Sequence, residues 1–241
     1  METNTSTPAD FALQVERFYA SLIQGADAEI SLGGKLFYSG ELDAAARALL
    51  VAANIAGAAS LTATADAAAQ KQAIRDGVVD FLVTSLDEAL RILKNEIRKH
   101  ETVAVCVALT PEALQREMRE RGVKPDLARP IEEAILAEDQ RLLAWSVASA
   151  PVQWLPKLDL LAVGCLDPDE LAAHRWLRLA PRYLGRLAQR ARLLRCGESS
   201  SANFIARVRE QVECGEIGVS IEINLYGPGV LEKHHISPPL R

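Results

Sequence analysis

Residues 36–66 limit what this chain can fold into more than any other stretch. Leu36-Phe37-Tyr38-Ser39-Gly40 is a short apolar run that stops at a glycine. An alanine-rich segment from Glu41 to Asn54 follows, and a second apolar run, Ala59 to Ala65, stops at Asp66. That order predicts a strand, a crossover helix and a parallel strand. In such a unit a ligand site lies at the carboxyl ends of the strands.

The alternation continues to about residue 130. Asp66 is placed to cap a helix that runs to Asp76 and closes at Gly77. Val78 to Val83 reads as a strand, and Ser85-Leu86-Asp87-Glu88 as a capping box. The helix behind it puts Leu86, Ala89, Leu90, Leu93 and Ile97 on one face. Thr102 to Leu109 has the continuous apolar pattern of a strand covered on both faces. Thr110-Pro111 starts a helix that ends at Arg121-Gly122, and Val123 to Leu127 is a strand end. The prediction is an α/β fold, a Rossmann-like parallel sheet flanked by helices with right-handed crossovers. Upstream, Phe11 to Gln24 is an amphipathic helix, and Ala28 to Leu32 is expected as a short edge strand.

After Arg129-Pro130 the pattern changes. Ile131 to Ala137 is expected as a short helix, and Leu142 to Ala148 fits a strand or a helix. Gln153 to Leu166, apolar with Pro156 inside, has no assignable type. Asp167 to Leu194 is expected to be mainly helical, broken or kinked at Pro181. Its buried stripe would be Trp176, Ala180, Tyr183, Leu184, Leu187, Ala191 and Leu194. Ser200 to Cys214 reads as a helix and Gly218 to Leu225 as a half-buried strand. The expected organisation is a flexible tail over 1–9, a Rossmann-like domain over 10–130, a mostly helical extension packed on the sheet with a late strand over 131–225, and a C-terminal tail over 226–241.

Composition removes several function classes. A formal net charge of -5 gives no general attraction to nucleic acid or to an anionic membrane. The most apolar window, Ala44 to Ala63, is interrupted by Arg47, Asn54 and Gly57, so no membrane span is expected. Met1-Glu2-Thr3-Asn4-Thr5-Ser6 lacks a signal-peptide pattern, and a cytoplasmic location is expected. Cys106, Cys165, Cys196 and Cys214 show no CxxC spacing and read as reduced thiols. His100, His174 and the adjacent pair His234-His235 supply too few ligands for a defined zinc site, so no metal is expected. No serine elbow or nucleophile–histidine order appears, so no catalytic residue is assigned. Arg175, Arg178, Arg182, Arg186, Arg190, Arg192 and Arg195 are read largely as one solvated helix face, with no nucleic-acid partner expected.

Gly34-Lys35-Leu36-Phe37-Tyr38-Ser39-Gly40 resembles the opening of the NAD-binding domain of urocanase (urocanate hydratase), which reads G-K/R-x-x-x-T-S/A-G before a glycine loop G-L-G-G-M-x-G-A-Q. Thr84 to Ala89 resembles the next helix start of that domain, and Arg121 to Leu127 its R-G-V-x-P-D-L segment. The resemblance spans residues 10 to 130. It implies a Rossmann-like fold and places cofactor-binding positions at Ser39, Gly40, Thr64 and Asp66.

The departures from the family pattern bear on function. Gly40-Glu41-Leu42-Asp43-Ala44-Ala45 replaces the glycine loop and puts two carboxylates where a pyrophosphate would lie. The acid of the family's E-V-D strand end falls on Thr64, and Asp66 doubles as a helix cap. Ala128-Arg129-Pro130-Ile131 stands where the family continues D-Q-T-S-x-H-D. The expectation is a stand-alone, degenerate urocanase-type domain that has lost hydratase chemistry. It would serve as a binding or interaction protein, as a homodimer, with any small-molecule ligand at the strand carboxyl ends. No cofactor is expected, NAD being the one the resemblance leaves open. The competing reading is an NAD-binding enzyme or accessory protein of histidine catabolism, a lyase of the urocanate hydratase type.

Overall fold

The structure, a computed structural model, describes residues 8–27 and 29–239. The chain divides into two compact units, and the division falls inside helix α1 (Pro8–Leu22), between Glu16 and Arg17. One unit is Arg17–Ala134; the other takes the chain up to Glu16 and from Ile135 onward.

The Arg17–Ala134 unit is α/β, with helices on a parallel sheet, as the sequence predicts. In chain order it holds β1 (Leu36–Glu41), α2 (Ala44–Ala56), β2 (Ala59–Ala63), α3 (Ala67–Arg75), β3 (Phe81–Val83), α4 (Leu86–Lys99), β4 (Val103–Val107), α5 (Pro111–Glu120) and β5 (Leu127–Ala128). The strands lie in the order β3-β4-β2-β1-β5, all parallel.

Every residue of β2 and β4 is buried, because helices cover both faces. On one face Tyr38, Leu61 and Val105 pack with Leu86 and Leu93 of α4 and Leu114 of α5. The alternate residues Phe37, Ser60, Thr62, Ala104 and Cys106 point the other way and are buried as well. Ten residues of α2 are buried, which is why its sequence is nearly all alanine, leucine and valine. Fully burying a side chain such as Leu61 stabilises the fold by about 1.5–3 kcal/mol.

The helix starts follow the sequence signals. Asp66 accepts from Ala68 N, Ser85 from Glu88 N, and Thr110 from Ala113 N. The Glu88 carboxylate reaches back to Thr84 N at 3.0 Å, and its pKa is lowered chiefly by that bond. Gly34 has φ +81°, and a Cβ there would meet His100 Nδ1 at 2.9 Å, so conformation and space both require glycine.

Local differences have local causes. Strand β3 is shorter than expected, since Val78 and Val79 are buried before it and Asp80 fastens the chain to Ala104 through N–H to O and N–H to carboxylate bonds of 2.8 Å. In the expected strand from Ala28 to Leu32, Ala28 lies outside the described residues. Around it Asp27 Oδ1 accepts from Glu29 N and Ile30 N, which makes a turn with an isolated Asp27–Ser31 bridge instead. Of the expected N-terminal tail, residues 1–7 lie outside the described residues.

The other unit is built on an antiparallel sheet of order β7-β6-β8-β9. Its elements are β6 (Gln140–Val147), α6 (Pro151–Val163), α7 (Leu171–Tyr183), a 3-10 turn (Gly185–Gln189), β7 (Ala191–Gly197), α8 (Glu198–Glu213), β8 (Ile221–Gly227) and β9 (Val230–Ile236). Three sequence expectations are corrected here. Ile131 to Ala137 is irregular rather than helical, and Ala134 N is taken up by the carbonyl of Arg17. The helix expected to reach Leu194 stops at Tyr183. Gly185 (φ +54°) turns the chain, and Ala191 to Leu194 pair with β6 as a strand. Of the expected stripe, Trp176, Ala180 and Leu194 are buried, but on two different elements. Residues 226–241, expected as a C-terminal tail, include the end of β8 and all of β9, joined by the two-residue turn Pro228-Gly229.

Candidate functional site

In a parallel sheet the carboxyl ends of the strands bring distant loops together. Here the ends of β1, β2 and β5 do so. Tyr38 pairs with Leu61 and Gly40 with Thr62, so Ser39 is the extra residue of a bulge in β1. Gly40 follows at φ +77°. The Thr62 hydroxyl donates to Gly40 O at 3.1 Å and Leu42 N to Ala63 O at 3.0 Å, fixing the loop against β2.

All four positions singled out from sequence lie at these ends. Ser39 is fully buried, and its hydroxyl has no partner among the described residues. Thr64 is buried; its Oγ1 accepts from Asp66 N at 3.3 Å, and its carbonyl accepts from Gln70 Nε2 at 2.7 Å. Asp66 is exposed, and its Oδ1 accepts from Ala68 N at 2.8 Å. Thr64 and Asp66 are thus tied into the start of α3.

The N-terminus of α2 is the place where an anion would meet free backbone N–H groups. Asp43 occupies it. Oδ1 accepts from Ala46 N at 2.7 Å, and Oδ2 accepts from Arg129 Nη1 at 3.0 Å. The same Arg129 nitrogen lies 3.4 Å from Ser39 O. Glu41 and Asp43 stand at the passage from β1 to α2 and Asp66 at the cap of α3, so three carboxylates lie at the strand carboxyl ends, one of them paired with Arg129.

Arg129 is the residue that sequence reasoning missed. The available signal was its position one residue beyond β5, the neighbour of β1 in the sheet.

The other candidate groups are dispersed. Cys106 is buried in β4, and burial pushes its thiol up to about 11; burial pushes Cys196 up to about 12. Both are therefore neutral at physiological pH and poor nucleophiles. The four cysteines are free thiols. His174 contacts Asp167 O, His234 contacts Arg209 and Glu232, and His235 contacts Ser237. Among the described residues no group of three or more His, Cys, Asp or Glu could hold a metal ion, and no helix is long and apolar enough to cross a membrane.

The arginine run is not one helix face. Arg175, Arg178 and Arg182 are on α7, Arg186 and Arg190 in or beside the 3-10 turn, and Arg192 and Arg195 on β7. Arg192 donates to both Asp159 oxygens at 2.8 and 3.0 Å, and Arg195 to both Glu16 oxygens at 2.6 and 2.9 Å. Burial pushes the Asp159 carboxyl above its ordinary range, against the pull of Arg192.

Residues 18–130 match the family model of the urocanase Rossmann-like domain. The match takes in all five strands of the parallel sheet and the carboxyl-end cluster just described.

Proposed function

We propose that this chain, whose residues 18–130 are a urocanase-type Rossmann-like domain, is a binding or interaction protein in which that domain holds no dinucleotide and hydratase chemistry has been lost. The domain type is related to NAD binding, so the fit of this chain's residues to NAD is the point at issue. One observation carries the reading: the Asp43 carboxylate, held by Ala46 N and Arg129, fills the N-terminus of α2. A pyrophosphate at that place would have to displace a cap and an ion partner and then meet Glu41 and Asp66. The connection from Gly40 to α2 is Glu41-Leu42-Asp43, and it holds no further glycine to let a phosphate approach the backbone. These residues do not fit the cofactor, and we assign none.

The unpartnered Ser39 hydroxyl at the bulge supports a small polar ligand at the strand carboxyl ends. Homodimerisation is proposed as well. The edge strand β3, with Phe81 and Leu82 exposed, is consistent with it, and light scattering in solution reads it directly.

The test is thermal melting of the full chain across a range of NAD concentrations, with turnover of urocanate followed by its ultraviolet absorbance. We expect an unchanged Tm and no turnover. A saturable rise in Tm with NAD would overturn the reading and favour an NAD-binding accessory or enzyme of the urocanate hydratase type, since a ligand that binds only the folded state raises its melting point.

A further inference from the structure

The antiparallel unit has a pocket of about 650 Å³, bounded by α7, the 3-10 turn behind it, β7 and Ala12 of α1. Its volume is within the range of roughly 300–1,000 Å³ typical of ligand sites. The walls include Trp176, Leu177, Ala180, Leu187 and Leu193, and among the described residues no carboxylate, hydroxyl or amide side chain lines it. The one indole N–H in the wall is taken, because Trp176 Nε1 donates to Leu193 O. Away from the arginines of the lining, a ligand body placed here has no side-chain hydrogen bond to make and must itself be apolar.

Three arginines complete the lining, and they differ. Arg192 is committed to Asp159 and to the carbonyl of Ala188. Arg186 and Arg190 are exposed and have no carboxylate, hydrogen-bond or ring partner among the described residues. An apolar cavity beside two uncommitted guanidinium groups is complementary to a molecule with an apolar body and an anionic head. Guanidinium forks match a carboxylate in shape as well as charge. We infer that this pocket is a binding site for an acyl carboxylate, its chain against α7 and β7 and its head between Arg186 and Arg190. A nucleic-acid strand fits the surface poorly, because Trp176, the aromatic at hand, is buried and offers no stacking face. The site belongs to a different unit from the carboxyl-end cluster and does not depend on how that cluster is read.

The test uses the full chain and three probes below their aggregation limits: decanoate, decanol and inorganic phosphate. Binding is read by calorimetry and by tryptophan fluorescence, to which Trp176 contributes from the pocket wall. We expect saturable decanoate binding, weaker decanol binding by about tenfold, the effect of one charge-assisted hydrogen bond, and none with phosphate. The double variant Arg186→Gln/Arg190→Gln changes exposed residues, so circular dichroism should be unaltered. It should bind decanoate and decanol equally. Leu187→Trp, which fills the cavity, should weaken both. Absence of saturable decanoate binding would overturn the inference. So would equal affinity for decanoate and decanol in the parent chain, or unchanged decanoate preference in the double variant. Phosphate binding as tight as decanoate would also overturn it, by showing an anion patch with no use for the pocket.

Discussion

The two units dispose of charge in opposite ways. In the parallel unit β2 and β4 are buried at every residue, so charge has no place within the sheet and gathers at loops and helix ends. Its ion pairs, such as Arg129–Asp43 and Arg17–Glu133, join side chains that are roughly a third to a half exposed. In the antiparallel unit the strands are half-buried, and charge enters the packing. Arg192 and Arg195 lie on opposite faces of β7 by strand alternation, and each grips a carboxylate, Asp159 on α6 and Glu16 on α1. The Glu16 side chain is only 2% exposed. The difference teaches that similar Arg–carboxylate pairs act as surface trim in one unit and as internal joints in the other.

The sharpest way to break this comparison is to remove one arginine from each. Arg195→Met leaves Glu16 buried without its partner and should destabilise the fold by about 3–5 kcal/mol. The double variant Glu16→Leu/Arg195→Met should recover part of that loss. Arg129→Met should stay within about 1 kcal/mol, as half-exposed pairs do. Urea midpoints measure all three, and equal losses for the two single variants would erase the contrast. Next in size, Leu61→Ala opens a cavity between α4 and the parallel sheet and should lower stability by about 2–5 kcal/mol. Leu231→Ala, on exposed β9, should change it by less than about 0.5 kcal/mol.

Asp43→Ala should lower stability by about 1 kcal/mol, the usual effect of losing an N-cap. Its melting point is the readout. The smallest effect at neutral pH comes from the thiols. Cys106 and Cys196 have folded-state pKa values raised above the ordinary 9.0, to about 11 and about 12. The folded state therefore holds these protons more tightly than the unfolded chain. Their contribution is complete below about pH 9 and is lost as pH rises toward those folded values. Denaturation midpoints at pH 7 and 8 should coincide and fall at pH 10. In the native protein the exposed Cys214 should react first with a thiol reagent.

The parallel unit was legible because its signals are local. Ser85 with Glu88, Thr110 with Pro111, and Asp66 with Gly77 each mark a helix end within a few residues, and fully buried strands read as continuous apolar runs. The antiparallel unit was less legible because its pairings join distant residues. Leu187, Ala191 and Leu194 keep helical spacing across a turn, so the stripe seen on α7 continued numerically into a strand. The cue was Gly185. On β9 the cue was Gly227-Pro228-Gly229, which reads as a hairpin only once the alternation of β8 is extended past it. At the candidate site, Ser39, Gly40 and Asp66 could be placed from sequence, since strand ends are marked by glycine and acids. Arg129 could not, because its contact with Asp43 spans 86 positions.

The central claim is that the N-terminus of α2 is closed by this chain's own carboxylate. It is tested most directly by NMR of the backbone amides of Gly40 to Ala46 during titration with NAD. The account predicts that these amides, Ala46 above all, keep their positions up to millimolar NAD. Saturable shifts centred on Ala44, Ala45 and Ala46 would show the dinucleotide displacing Asp43 and would contradict it.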